Sequence, residues 1–231
     1  MNMIILAVDT ATKSASAAVI EDGEVRSEFL VNHRTMHSRN LMPLVDAAVK
    51  AADISKNDID LFASTIGPGS FTGVRIGVSS VKAMAYSLKK QTVGINTLDC
   101  LAYDVCEYDK LICPVLDARN KQVYCAVYRK DHEHRLERLT DYMGVTIDEL
   151  TKLLADFGKD VVFTGDAYEM CVNWEGTVPF KKLCVHHGAY MPRASTVGLM
   201  AQDAPQTDPA LLLPFYLRKS QAERMMDKKN E

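Results

Sequence analysis

Residues 67–77, Gly67-Pro68-Gly69-Ser70-Phe71-Thr72-Gly73-Val74-Arg75-Ile76-Gly77, constrain the fold of this chain more than any other stretch. Ahead of them, residues 61–66 form a short apolar run expected as a buried strand. Behind them, Val74, Val78, Val81, Ala85 and Leu88 recur at helical spacing. Glycines at 67, 69 and 73 admit positive φ and Pro68 pre-sets the turn between the first two, which predicts strand, tight loop and helix start. Such a junction points free N–H groups outward and is how anion sites are built. The loop is not a Walker A motif, because no Gly-Lys-Ser/Thr follows, and its G-x-G-x-x-x-G spacing misses the dinucleotide fingerprint by one residue. The plainer alternative is steric: Gly73 and Gly77, one turn apart, let the helix close on the sheet.

Residues 3–9 and 14–20 have strand patterns, and Glu21-Asp22-Gly23-Glu24 is an Asp-Gly hairpin turn into a third strand at 25–31. Three antiparallel strands are therefore expected first. Between the first two lies Asp9-Thr10-Ala11-Thr12-Lys13-Ser14, a carboxylate and hydroxyls at a strand end. Two readings stand side by side for Asp9, Thr10 and Thr12: a loop that cradles phosphate, or side chains that satisfy the turn's own backbone. His33 and His37 share an H-x-x-x-H spacing, but Arg34 stands where a zinc protease has Glu and no third ligand is evident, so a solvated loop is expected there. Ser38 is the expected N-cap of a helix over 38–52, with Leu41, Leu44, Val45, Ala48 and Ala52 facing the core. Met42 and Val49 on this helix, and Ile76, Ala83 and Met84 on the next, lie outside the main stripes, with the small Ser80 among them. Such width means burial or a partner surface.

The glycine string closely resembles the signature of the TsaB (YeaZ) family, usually GPGSFTGLRIG, with Val74 in place of the usual Leu. His37-Ser38 with Leu41-x-Pro43-Leu44, the stretch VLDARNKQVY at 115–124, and residues 211–218 resemble it too. The resemblance implies an α/β, actin-like (ribonuclease H-like) fold with two lobes, 1–108 and 109–218, before a charged tail at 219–231. In actin-like ATPases the loop in the position of Asp9 to Thr12 cradles phosphates. In the sister family TsaD, the stretch matching Gly94-Ile95-Asn96 continues with two metal-binding histidines. Their positions are Thr97 and Leu101 here, and neither offers an imidazole nitrogen.

With 231 residues, 47% hydrophobic and 25% charged, the chain is long enough for a substantial core. A net charge of −3 advertises no basic field for nucleic acid. The six cysteines show no C-x-x-C pair or metal-type spacing and read as reduced, mostly buried small hydrophobes. No 18 apolar residues run together and no leader pattern is seen, so a cytoplasmic protein is expected.

In the second half, strands are expected at 111–116 and 123–128 around a turn at 117–120, then an exposed charged loop at 129–138. Thr146-x-x-Glu149 is a capping box opening a helix that Gly158 ends, and 161–164 is a strand. Trp174 is expected in the core, His186-His187 on the surface, and a helix from about Ser195 to Ala204.

The residues alone assemble no nucleophile with its base, since no His or Lys is tied to Ser70 or Thr72. The resemblance implies a non-catalytic subunit for making N6-threonylcarbamoyladenosine beside the tRNA anticodon. Its partner would be the catalytic paralogue TsaD, working with TsaE and with the threonylcarbamoyl-AMP made by TsaC. ATP and metal are then expected in the partner subunits, with no intrinsic cofactor or metal here, no membrane, and a homodimer when the chain is alone. The expected partner surface is Met42, Val49, Ile76, Ser80, Ala83 and Met84. The rival reading is a stand-alone ATP-dependent kinase or hydrolase built on Asp9 to Thr12 and the glycine loop; a metallopeptidase fails on the missing histidines.

Overall fold

The computed structural model describes residues 3–33, 36–185 and 190–217. Strands Ile4–Asp9 (β1), Ala15–Glu21 (β2) and Glu24–Val31 (β3) are antiparallel neighbours, joined between β2 and β3 by Asp22 and Gly23, both at positive φ. That backbone matches the right-handed twist of the flanking strands, which is why Asp-Gly is legible as a hairpin. Helix His37–Ala51 (α1) leads to Leu61–Gly67 (β4), helix Phe71–Leu88 (α2) to Gln91–Asn96 (β5), and Thr97–Tyr103 (α3) closes the half. The sheet order is β3-β2-β1-β4-β5, with β4 parallel to β1 and β5 parallel to β4.

The second half repeats the plan. Leu111–Asp117 (β6) and Gln122–Cys125 (β7) form a hairpin, a small hairpin of Tyr128–Lys130 (β8) and Leu136–Arg138 (β9) intervenes, and Met143–Thr146 (β10) returns to pair with β7. Ile147–Asp156 (α4), Val161–Thr164 (β11), Tyr168–Val172 (α5), Lys182–Cys184 (β12) and Ala194–Ala201 (α6) complete it. The path β10-β7-β6-β11-β12 has the same strand order and directions as the first sheet. This doubled plan is the two-lobed actin-like, ribonuclease H-like α/β fold.

The closing helices are exchanged. Leu98, Leu101 and Ala102 of α3 pack with Ile112, Leu116 and Val162 of the second sheet, whereas Ala194, Val197 and Ala201 of α6 pack with Ile5, Ala7, Ala18 and Val93 of the first. Small side chains on α6 allow that approach: a Cβ on Gly198 would fall 2.1 Å from Ile20 Cδ1.

Several local expectations shift. Helix α2 starts at Phe71, earlier than its apolar pattern suggests, because Ser70 caps it by accepting from the Gly73 N–H at 3.2 Å. Ser38 is not the cap of α1: the helix begins at His37 after Met36, and His37 Nε2 donates to the Thr12 carbonyl at 2.8 Å, tying the first turn to the β1–β2 hairpin. Residues 123–128 are not one strand; the chain leaves β7 at Ala126 and pairs β8 with β6 instead. Residues 129–138, read as an exposed loop from their charge, form most of the β8–β9 hairpin, and Lys130 is buried with Nζ donating to the Tyr103 carbonyl at 2.5 Å. Trp174 lies half-buried, its indole N–H donating to Asp148 at 3.0 Å and its ring against Gly176, so it is an edge packer with a satisfied polar end. Helix α6 ends at Ala201, three residues early. The capping box at Thr146 and Glu149 forms as expected. His186, His187 and the tail at 219–231 lie outside the described residues.

Candidate functional site

Asp9 ends β1 fully buried, its Oδ1 accepting from the Thr65 hydroxyl at 2.7 Å and from the Ala11 N–H at 3.2 Å. Its Oδ2 is buried without a partner among the described residues. Burial pushes this carboxyl up to about 7, against the hydrogen bonds from Thr65, Ala11 and Thr10, which pull it down. The Thr10 hydroxyl donates to the Gly73 carbonyl at 2.7 Å, and the Thr12 and Ser14 hydroxyls bond each other at 3.0 Å. The Thr10 hydroxyl proton is thus used within the protein, and the Thr12 and Ser14 hydroxyls share a single hydrogen bond.

The glycine loop lies directly on this hairpin. The Gly67-Pro68 peptide is cis, and the Ser70 N–H donates to the Ala11 carbonyl at 2.7 Å. Gly67 needs its φ of +107°, and a Cβ there would sit 2.6 Å from the Phe215 carbonyl oxygen. Gly73, expected at positive φ, is instead an ordinary helical residue, and what it needs is space: a Cβ would fall 2.1 Å from the Thr10 carbonyl oxygen. A Cβ on Gly69 would fall 2.3 Å from the Ala11 carbonyl oxygen, and on Gly77 2.5 Å from the Thr10 hydroxyl. The steric account of the glycines therefore describes this junction. Phe71 is half-buried and Thr72 exposed on the first turn of α2.

A C-terminal strap crosses the same loop and was not foreseen from sequence. The Phe215 N–H donates to the Ile66 carbonyl at 2.7 Å, Lys82 Nζ donates to the Ala210 and Leu212 carbonyls at 3.0 Å each, and the Tyr216 ring stacks on Phe71 at 4.6 Å. Arg75 donates to the Tyr216 hydroxyl at 2.9 Å with its guanidinium 3.8 Å from the Phe71 ring centre. The sequence signals were the family resemblance at 211–218 and a pair of aromatics, Phe215-Tyr216, both far from the loop that the strap covers.

Of the apolar residues beyond the main stripes of α1 and α2, Val49, Ile76 and Met84 are partly buried and pack on the first core, and Ser80 is half-buried. Met42, 48% exposed, and Ala83 face outward. Thr97 and Leu101 are fully buried in α3, Leu101 inside an apolar cluster and Thr97 with a hydroxyl lacking a partner among the described residues. In the second lobe, Asp166 accepts from the Asp117 N–H at 3.0 Å; burial raises its pKa, while that hydrogen bond, then Lys13 on the first hairpin and Arg119, lower it. Sequence reasoning passed over Asp166 because nothing local marks it. No group of three metal-type side chains is found among the described residues, and no helix there is long and apolar enough to cross a membrane. The cysteines are free, four buried, with Cys106 and Cys184 exposed.

The family model described as TsaD, tRNA N6-adenosine threonylcarbamoyltransferase, matches residues 31–224. The tRNA threonylcarbamoyladenosine biosynthesis protein TsaB of Bacillus subtilis is 30% identical over 225 residues, covering 96% of both chains. The protein of the same name from Escherichia coli is 35% identical over 131 residues, 56% of each chain. The solved structure of YeaZ from Pseudomonas aeruginosa superposes with a TM-score of 0.76 at 20% identity, covering 93% of this chain and all of that one, which speaks for the fold. The chain belongs to the TsaB (YeaZ) family of tRNA threonylcarbamoyladenosine biosynthesis proteins, related through the family model to the threonylcarbamoyltransferases.

Proposed function

We propose that this chain is a non-catalytic subunit in the formation of N6-threonylcarbamoyladenosine next to the tRNA anticodon, pairing with the catalytic paralogue TsaD and working with TsaE and the threonylcarbamoyl-AMP that TsaC makes. The observation that carries this is the content of α3. Where the TsaD pattern has two histidines, Leu101 completes a packed apolar cluster and Thr97 is fully buried. The two metal-binding positions of the TsaD pattern need imidazole nitrogens, and Thr97 and Leu101 supply none. The Asp9 hairpin supports the same reading, because the Thr10 hydroxyl donates to Gly73 and the Thr12 and Ser14 hydroxyls bond each other. We take it as a vestigial phosphate loop, with ATP and metal belonging to the partner subunits.

The pairing surface in this proposal is the outer side of α1 and α2, with Met42, Val49, Ile76, Ser80, Ala83 and Met84. The same surface would serve a homodimer when TsaD is absent, because an isologous contact matches a patch to itself. The test is tRNA modification from threonylcarbamoyl-AMP by the purified chain, by TsaD, and by both together. Modification only when TsaD is present, and faster with both, is expected. Modification by this chain alone contradicts the proposal, as does turnover of magnesium ATP by the chain alone, which is what a stand-alone kinase or hydrolase predicts.

A further inference from the structure

The two halves share one plan, so a segment present in only one of them calls for its own explanation. Strands β2 and β3 are joined by Asp22 and Gly23 alone, whereas the equivalent β7 and β10 are separated by residues 126–142, which carry β8 and β9. This insertion lies off the main strand path and walls a cleft of about 610 Å³ against α3 and α6. That volume is in the range of small-ligand sites. No residue of the Asp9 hairpin, the glycine loop or the outer α1–α2 surface lines it.

The floor is Asp99 of α3. The Tyr128 hydroxyl donates to its Oδ1 at 2.6 Å and the Tyr142 hydroxyl to its Oδ2 at 2.7 Å, so each carboxylate oxygen is held by a neutral donor. Burial, then the Asp99 charge, raises the pKa of Tyr128 far above its ordinary value; burial, then the hydrogen bond to Asp99, does the same for Tyr142. Both phenols stay protonated and the floor is fixed. On the rim, the Arg138 guanidinium lies 3.9 Å from the centre of the Tyr142 ring and forms no ion pair among the described residues. Arg135 beside it already holds Asp131 and Glu133, so the acidic groups of the hairpin turn are neutralised locally. The opposite side carries Tyr103, 40% exposed.

Arg138 hydrogen-bonds Tyr142 and lies on its ring but has no carboxylate partner among the described residues, and the exposed Tyr103 ring shares the cleft with it. This pairing suits a planar ring that also bears negative charge, because rings stack on tyrosine and guanidinium binds phosphate through paired N–H groups. A cation would meet Arg138 over a carboxylate whose oxygens are both occupied, and a small anion would leave the aromatic walls unused. We propose that this cleft binds a nucleotide unit, a base with its phosphate, stacking on Tyr103 and paired to Arg138. The unit comes either from a free mononucleotide or from an unpaired position in an RNA.

The test is titration of the full chain, followed by calorimetry, with AMP, with a single-stranded hexaribonucleotide and with inorganic phosphate. AMP or the hexamer should bind at least about tenfold more tightly than phosphate. Arg138→Gln and Tyr103→Ala, each checked for an unchanged melting transition, should each weaken that binding about tenfold, and added salt should weaken it further. Equal affinity for AMP and the hexamer assigns the site to the free nucleotide; a clear advantage for the hexamer assigns it to RNA. The proposal is overturned if neither ligand binds at about 5 mM, a level that detects even millimolar affinity. It is also overturned if both variants, folded, bind as the wild type does.

Discussion

Asp9 has a carboxylate with one oxygen bonded to Thr65 and Ala11 and the other buried without a partner among the described residues. Burial pushes this carboxyl up to about 7 in the folded protein, against its ordinary value of 3.8, so the unfolded chain ionises first as pH rises. The stability that this group contributes is therefore present in full below pH 3.8 and is lost progressively as pH rises to about 7. The loss amounts to as much as about 4 kcal/mol. Asp9→Asn should remove most of that slope, measured as urea midpoints between pH 4 and 8; an unchanged slope would show that Asp9 ionises freely in the fold. At Gly73 the limit is steric. Gly73→Ala places a methyl against the Thr10 carbonyl and should cost about 1–3 kcal/mol, read from the same denaturant curves. Both residues could be picked from the sequence, Asp9 as an acid at a strand end and Gly73 by its spacing. Whether the loops were open or closed could not, because Thr10 and Gly73 meet only when hairpin and helix are folded together.

Helices α1 and α2 show how far a pattern of apolar residues carries. Their core stripes were legible, and so was the Thr146–Glu149 box that opens α4, where Thr146→Ala should cost about 1 kcal/mol of stability. The residues beyond the stripes divide in a way that periodicity does not show: Val49, Ile76 and Met84 half-bury against the first core, while Met42 and Ala83 face outward. Val49→Glu should accordingly lower stability by about 1–3 kcal/mol, since it takes a carboxylate into contact with the core. Met42→Glu should change stability by less than about 0.5 kcal/mol yet weaken pairing, and comparing thermal melts with binding separates the two effects. The β8–β9 hairpin was hidden by its charges, whose polar outer face looks like a loop although Tyr128 and Lys130 point inward. The strap at 212–217 was hidden by distance, because Tyr216 finds Phe71 and Arg75 only in three dimensions.

At the scale of the whole molecule, the doubled strand order and the exchange of α3 and α6 make each sheet depend on the other half of the chain. A fragment ending at residue 108 loses α6 and bares Ile5, Ala7, Ala18 and Val93, so it should fail to give a cooperative melt by circular dichroism. The repeated architecture was not readable from residues alone, since the halves share topology and no visible sequence period; the glycine string led to it only through family resemblance. In the proposed function the molecule pairs with TsaD through the α1–α2 surface, and that pairing is the central claim. Sedimentation velocity of the chain with TsaD from the same organism, for the wild type and for Met42→Glu combined with Ala83→Glu, tests it most directly. The account predicts a heterodimer for the wild type, dissolution of any homodimer as TsaD is added, and pairing weakened at least about tenfold in the folded double variant. Undiminished pairing by that variant, or homodimers that persist beside excess TsaD, would contradict it.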